Sequence, residues 1–281
     1  VGSEMCIRDR LQPICCVQQL KRNDSVIHET AIIDESAVIA SGVQIGPYSI
    51  VGAEVEIEAG TVIGPHVVVK GPTKIGKDNR IFQFASIGED PQDLKFHGEK
   101  SRLDIGDRNT IRECVTMHRG TEEDRSITQV GNDNLFMAYV HIAHDCIIGN
   151  NIIFANNATL AGHVVVEDFA ILGGFTAVHQ FTRLGAYCFT GFATALDRDV
   201  LPYFTVAGNR ARARGINKEG LLRKQFKPET IRALQETYKI LVKSKGTLIE
   251  KLERVSELAA VHPEVKQVID FMDESERGWT R

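Results

Sequence analysis

No run of apolar residues in this chain is long enough to span a bilayer, so an integral membrane segment is not expected. Charge of one sign is lacking too. The 33 Lys and Arg nearly balance 37 Asp and Glu, and the net charge of −4 argues against a general nucleic-acid binder. Cysteines are few and scattered: Cys6, Cys15, Cys16, Cys114, Cys146 and Cys188. None sits in a paired metal-ligand spacing, and free thiols fit a reducing compartment, so a cytoplasmic protein is expected. The opening VGSEMCIRDR has neither a helix or strand period nor the long apolar core of a signal peptide. Residues 1–23 are therefore expected to be a non-native or disordered segment outside the fold.

What the chain does have is a repeat. Steps of six from Ile33 reach Ile39, Ile45, Val51, Ile57, Ile63, Val69, Ile75, Ile81 and Ile87, and the same frame resumes at Ile105, Ile111 and Met117. After a one-residue slip it runs from Val130 through Phe136, Ile142, Ile148, Phe154, Leu160, Val166, Leu172, Val178 and Leu184. Fewer than half of all residues are apolar (43%), so chance does not produce this series. A six-residue period excludes an α-helix, whose faces repeat near 3.6 residues. Short strands with a turn every six residues satisfy it, and three such steps make a triangular coil of eighteen residues. Glycine often follows the aliphatic position, as in Ile45-Gly46, Val51-Gly52, Ile63-Gly64 and Ile148-Gly149. The expectation is that glycine, Asn and Asp at the corners tolerate the unusual backbone angles of a tight turn.

Two polar segments, 88–103 and 118–129, interrupt the frame, and loops on so regular a scaffold are natural places for binding groups. The repeat is expected to stop near Gly191, giving a β-helical domain over 24–208. A basic stretch follows at 209–227, then helices at 228–243, 247–261 and 263–274. The first helix opens with Pro228, and the second carries a Thr247…Glu250 capping box. Residues 209–281 thus form a basic linker and an α-helical domain.

Histidine marks the chemistry. His141-Ile142-Ala143-His144-Asp145 places two imidazoles and a carboxylate within five residues. His144 and His163 lie nineteen residues apart, so they should sit on neighbouring coils near one edge. Imidazole suits proton removal near neutral pH. A lone histidine on a coil edge more often merely faces water; clustering weighs against that here.

Seven strings carry a resemblance over roughly residues 25–281. They are Phe82-Gln83-Phe84-Ala85-Ser86-Ile87-Gly88-Glu89, Gln92-Asp93-Leu94-Lys95, His118-Arg119-Gly120-Thr121, His141 through Cys146, Ala155 through His163, Thr176 through Phe181, and Gly215 through Leu221. Together they resemble the UDP-N-acetylglucosamine 3-O-acyltransferase family, hexapeptide-repeat enzymes that begin lipid A synthesis. The resemblance implies an all-β left-handed parallel β-helix with a C-terminal α-helical segment; the period alone does not give the handedness. It implies a homotrimer, acyl carrier protein as donor partner, and UDP-N-acetylglucosamine as acceptor. No metal or cofactor is implied.

The resemblance also implies roles. His144 would be the general base and Asp145 would polarise it, although neighbours on a strand point apart, so the pairing needs a corner. The Gly162 amide would hold the oxyanion. Gln92, Asp93, Lys95, His141, His163, His179 and Gln180 would contact the sugar nucleotide, with Asn217, Glu219 and Arg223 on the uridine diphosphate. Gly191 and Phe192 would measure the acyl chain, and a bulky Phe192 would favour about ten carbons over fourteen, because each buried methylene contributes roughly 0.8 kcal/mol. The basic residues Arg210, Arg212, Arg214, Lys218, Arg223, Lys224 and Lys227 would meet an acidic partner. Three rivals remain at this point: a β-helical zinc enzyme of the carbonic anhydrase type using three imidazoles, a sister N-acyltransferase, and a catalytically silent scaffold.

Overall fold

The structure, a computed structural model, describes residues 26–281. The expectation for residues 1–23, with Cys6, Cys15 and Cys16, lies outside the described residues. Each six-residue step forms a strand of two to four residues and a turn. The strands stack into three sheets of eleven, nine and eight strands, called here the first, second and third sheet. Together they wind as a left-handed parallel β-helix. Strand Gln44–Ile45 of the first sheet pairs in parallel with Val62–Ile63, eighteen residues on. Ile50–Val51 of the second pairs with Val68–Val69, and Val55–Ile57 of the third with Thr73–Ile75. The expected hexad positions from Ile45 to Leu184 are all buried and form one continuous column. Ile33 and Ile39 are only half-buried, because they belong to the first described coils at the end of the stack.

The corners use Asp and Asn as expected, at Asp78, Asp133, Asn151 and Asn157, but not the glycines that directly follow the aliphatics. The left-handed backbone falls three residues after most core aliphatics, mostly on residues other than glycine: Tyr48 (φ 57°), His66 (φ 55°), Asp145 (φ 58°) and His163 (φ 62°). Such a conformation costs roughly 1–2 kcal/mol for an L-residue. A hydrogen bond to the adjacent coil offsets it, as when the His163 amide donates to the His144 carbonyl at 3.0 Å. The glycines after the aliphatics serve close approach instead. A Cβ on Gly46 would stand 2.8 Å from the Gly64 carbonyl carbon, closer than stacked coils allow.

The repeat also runs further than expected. Thr190 occupies the next hexad slot, fully buried, its hydroxyl bonded to the Gly173 amide (2.9 Å) and the Thr176 hydroxyl (2.7 Å). Leu196 fills the slot after it. Phe204–Ala207 then extends the first sheet, and Arg212–Ile216, expected within a linker, pairs antiparallel with it.

A helix not anticipated, Lys218–Arg223, precedes Pro228–Tyr238, Leu248–Ala259 and Pro263–Asp273. The capping box forms as expected, with Thr247 and Glu250 bonded reciprocally. These helices bury a second core of Leu221, Leu234, Val255, Val265 and Phe271 against Leu201, Tyr203 and Phe204 of the last coil. Arg183 reaches Glu274 at 3.1 Å and Ser275 donates to Asp199 at 2.6 Å, tying the helices to the prism.

Ile63 is 2% exposed in the middle of the column. Ile63→Asp would bury an unpaired carboxylate at a cost of several kcal/mol. The variant should be insoluble or lack a cooperative thermal transition; a soluble variant melting near the parent would show that the register is wrong.

Candidate active site

Both excursions leave from the corner between the second and third sheets. Thr110 pairs with Arg80, thirty residues away rather than eighteen, so the first inserts twelve residues. Leu135 pairs with Thr110 across twenty-five, so the second inserts seven. The flanking strands run to Glu89 and from Arg102, and to His118 and from Ile127, leaving loops 90–101 and 119–126. On the next three coils the same corner carries His144-Asp145, Gly162-His163 and Gln180-Phe181.

His144 and Asp145 meet, as the role required. The left-handed turn at Asp145 swings its carboxylate sideways, and Oδ2 lies 2.9 Å from His144 Nδ1. Asp145 is fully buried. The Thr121 amide donates to both its oxygens (3.0 Å each), and the Thr121 hydroxyl donates to Oδ2 at 2.7 Å. Burial alone would raise the Asp145 pKa. Hydrogen bonds from His144 and Thr121 outweigh it and hold the group below the usual carboxylate range. An ionised carboxylate only accepts, so Nδ1 carries the imidazole proton and Nε2 presents its lone pair. Nε2 faces Asp93 of the first loop, whose Oδ2 is 3.9 Å away, too far for a hydrogen bond.

Gly162 is required by the imidazole itself. A Cβ there would stand 2.5 Å from His144 Cε1 and 2.7 Å from Nε2. No backbone carbonyl among the described residues accepts from the Gly162 amide. His163 stands edge-on to His144, with ring centroids 5.0 Å apart, and stacks on Phe181 at 4.3 Å. Its Nδ1 is 2.9 Å from Asp124 of the second loop.

His141 points outward from the second sheet, with Nδ1 2.7 Å from the Thr116 hydroxyl. Burial first, then the His118 and His144 rings, push its pKa down to about 4, so it is a neutral hydrogen-bonding group at physiological pH. Lys95 pairs with Glu123 of the second loop at 3.0 Å, which raises its pKa, and Gln92 is exposed beside it. His179 and Gln180 are exposed on the next coil. From His141 the outward column of the second sheet runs through Thr159, Ala177 and Ala195, all short side chains. At its far edge, after Gly191, stands Phe192, 74% exposed and edge-on to Phe175 at 5.6 Å.

One chain does not bring every expected contact together. Asn217, Glu219 and Arg223 lie on or beside helix Lys218–Arg223, seated at the corner between the third and first sheets. Asn217 caps that helix, accepting from the Gly220 amide at 3.1 Å and donating to the Tyr187 carbonyl at 2.9 Å.

Other contributors carried no individual signal in the sequence. Thr121 orients Asp145. Arg119, 8% exposed, binds the Gly71 and Gly88 carbonyls and the Asp90 carboxylate, clamping the base of the first loop. The string His118-Arg119-Gly120-Thr121 was visible, but its partners lie in other coils.

Donor atoms of His144, Asp145 and His163 lie within 4.8 Å of one another. That group holds two imidazoles and a carboxylate rather than the three imidazoles of the zinc rival, and both Nδ1 atoms are bonded to carboxylates.

The chain is similar to several known proteins. The family description "Udp N-acetylglucosamine O-acyltransferase; Domain 2" matches residues 199–280, and "Bacterial transferase hexapeptide (six repeats)" matches 24–59 and 127–162. A protein of Herminiimonas arsenicoxydans named Acyl-(acyl-carrier-protein)–UDP-N-acetylglucosamine O-acyltransferase is 53% identical over 264 residues, covering 92% of this chain and 100% of its own. One of the same name from Pseudomonas putida strain GB-1 is 55% identical over 255 residues, covering 91% and 99%. The solved UDP-N-acetylglucosamine O-acyltransferase of Moraxella catarrhalis superposes with a TM-score of 0.88 at 48% identity, covering 91% and 99% of the two chains. That of Francisella novicida gives 0.88 at 42%, covering 91% and 94%.

The depressed Asp145 pKa has a consequence for stability. Ionised Asp145 contributes stability that is fully present above its unfolded pKa of about 4 and is lost as pH falls through the lower folded value. Thr121→Val removes one donor and should cost about 1–3 kcal/mol at neutral pH. In thermal melts between pH 7 and pH 3, the gap between parent and variant should narrow below pH 4. A gap independent of pH would detach Thr121 from the carboxylate.

Proposed function

The chain belongs to the UDP-N-acetylglucosamine O-acyltransferase family, and on that premise we propose a mechanism for its transfer of an acyl chain from acyl carrier protein to UDP-N-acetylglucosamine, the first step of lipid A biosynthesis. The observation that carries it is His144, with Nδ1 bonded to buried Asp145 and Nε2 open toward the Asp93 loop.

Nε2 removes the proton from the sugar 3-hydroxyl as that oxygen attacks the thioester carbonyl of an (R)-3-hydroxyacyl donor. Asp145 stabilises the imidazolium that forms, and the Gly162 amide donates to the tetrahedral oxyanion. Collapse breaks the C–S bond, and the imidazolium returns its proton to the departing thiolate. The acceptor oxygen is the nucleophile, so no acyl-enzyme forms. Asp93, Lys95 and Gln92 hold the sugar from one side, with His141, His163, His179 and Gln180 on the other. The acyl tail crosses the short side chains Thr159 and Ala177 toward Phe192.

We also place this reaction in a homotrimer in the cytoplasm. Asn217, Glu219 and Arg223 then come to the diphosphate from a neighbouring copy, which accounts for their lying at another corner of their own chain. Exposed Ile32 (64%), Ile50 (40%), Tyr48 (60%) and Phe84 (60%) on and beside the second sheet support a covered face. No helix among the described residues is long and apolar enough to cross a membrane.

His144→Ala should lower turnover at least 100-fold, the scale of losing a general base, and should cost about 1–3 kcal/mol at neutral pH because it takes one donor from buried Asp145, while the fold persists, since the ring lies outside the aliphatic column. Near-normal turnover would place the base elsewhere. With donors of graded length in competition, the native chain should prefer about ten carbons, and Phe192→Gly should move the optimum longer, each added methylene being worth roughly 0.8 kcal/mol. An optimum that stays put removes Phe192 as the ruler.

A further inference from the structure

The corner that carries His144 ends in a basic pocket. A cavity of about 280 Å3 is lined by Asp197, Arg198, Arg210, Arg212, Trp279 and Arg281, among others. Four guanidiniums thus face a single carboxylate, and that carboxylate lies 3.9 Å from Arg210. Arg281 sits over the Trp279 ring, 4.9 Å from its centroid, which fixes one wall. Arg198 and Arg212 are exposed, and neither makes an ion pair among the described residues.

The position of the pocket is as informative as its charge. Asp197 and Arg198 follow Ala195–Leu196 of the second sheet and precede Val200, which bridges to Leu184 of the third. They therefore occupy the same corner as His144. The register Ile142–Leu160–Val178–Leu196 places them three coils further along. Parallel strands stack roughly 4.8 Å apart, so Arg198 lies roughly 14 Å from His144 along the prism.

A carrier protein presents its acyl group as a thioester on a 4′-phosphopantetheine arm. About thirteen bonds separate that sulfur from the phosphorus, roughly 16 Å when extended, given ordinary covalent geometry. An arm whose thioester is at His144 and which follows the corner ends at this pocket. We propose that Arg198, Arg210 and Arg212 bind the phosphodiester of the donor's pantetheine arm. Planar guanidiniums match phosphate oxygens two at a time, which makes a fork of arginines a better cradle than scattered lysines. Exposed Gln180, one coil nearer His144, offers its side-chain amide to the arm on the way. The inference rests on the reading that His144 receives the thioester.

The test compares two small donors on the intact chain: an acyl-4′-phosphopantetheine and the matching acyl-pantetheine without phosphate. The phosphorylated donor should be favoured at least about tenfold in kcat/KM, the scale of one charge-assisted contact. In the double variant Arg198→Gln, Arg212→Gln that ratio should fall toward one. Four results would overturn the inference: no phosphate preference in a native chain that uses both donors; a preference that survives the double variant; a larger rise in the KM for UDP-N-acetylglucosamine than in that for the donors, assigning the pocket to the nucleotide; and a defect with the intact carrier alone, assigning the arginines to the carrier's acidic side chains. A native chain that acylates UDP-N-acetylglucosamine from none of these donors, carrier included, would instead bring down the function on which the inference stands.

Discussion

The parallel pairing of each coil with the next, at eighteen residues, is the constraint from which the rest follows. It fixes every face at six residues and leaves no slack inside a strand. Extra residues can leave only at a corner, and both insertions leave at the same one. The rule also fixes the turn. At most corners the third residue after a core aliphatic enters the left-handed region, and the adjacent coil secures its amide, as at His163. Asp145 and His163 are such residues, so the scaffold's own turn geometry aims the side chains at the site. No special loop had to evolve to make His144 and Asp145 converge.

The same spacing sorts the electrostatics. Stacked coils hold the His118 and His141 rings 4.9 Å apart and the His144 and His163 rings 5.0 Å apart. Burial keeps His141 neutral, while Asp145 stays ionised because two Thr121 donors and one His144 donor replace the water it lost. His144 is the imidazole bonded to that ionised carboxylate. The division arises because Asp145 receives both Thr121 donors while His141 is buried beside the His118 and His144 rings.

The fold was legible because hydrophobic burial at fixed spacing writes itself directly into residue type. The column from Ile45 to Leu184 and the His144–His163 neighbourhood follow from counting. Where burial is satisfied by hydrogen bonds instead, the count fails. Thr190 broke the apolar pattern yet stayed inside, so the repeat seemed to end a coil early. The corner glycines misled for a related reason: glycine serves both unusual φ and close approach, and only coordinates separate the two. Thr121 and Arg119 act on residues 24 and 29 positions away, across insertions whose lengths break the eighteen-residue arithmetic. Asn217 shows the converse. Its string was visible, but its helix-capping role depends on the carbonyl of Tyr187.

The donor has two limbs, and the prism offers each a separate track. From His144 the face of the second sheet leads coil by coil over Thr159 and Ala177 and across to Phe192 at its far edge, apolar and shallow, suited to a hydrocarbon. The corner leads lengthwise past Gln180 to Arg198, polar and then basic, suited to amides and a phosphate. An extended thioester placed with its carbonyl at Gly162 has its tail and its arm on opposite sides of the sulfur bond, and only one assignment of limbs to tracks matches their chemistry. Misplacing the tail would put methylenes against guanidiniums, and misplacing the arm would put a phosphodiester on Ala177. The orientation of the thioester at His144 is therefore set by groups remote from the reacting carbonyl, which is how binding energy away from the chemistry becomes geometry at it.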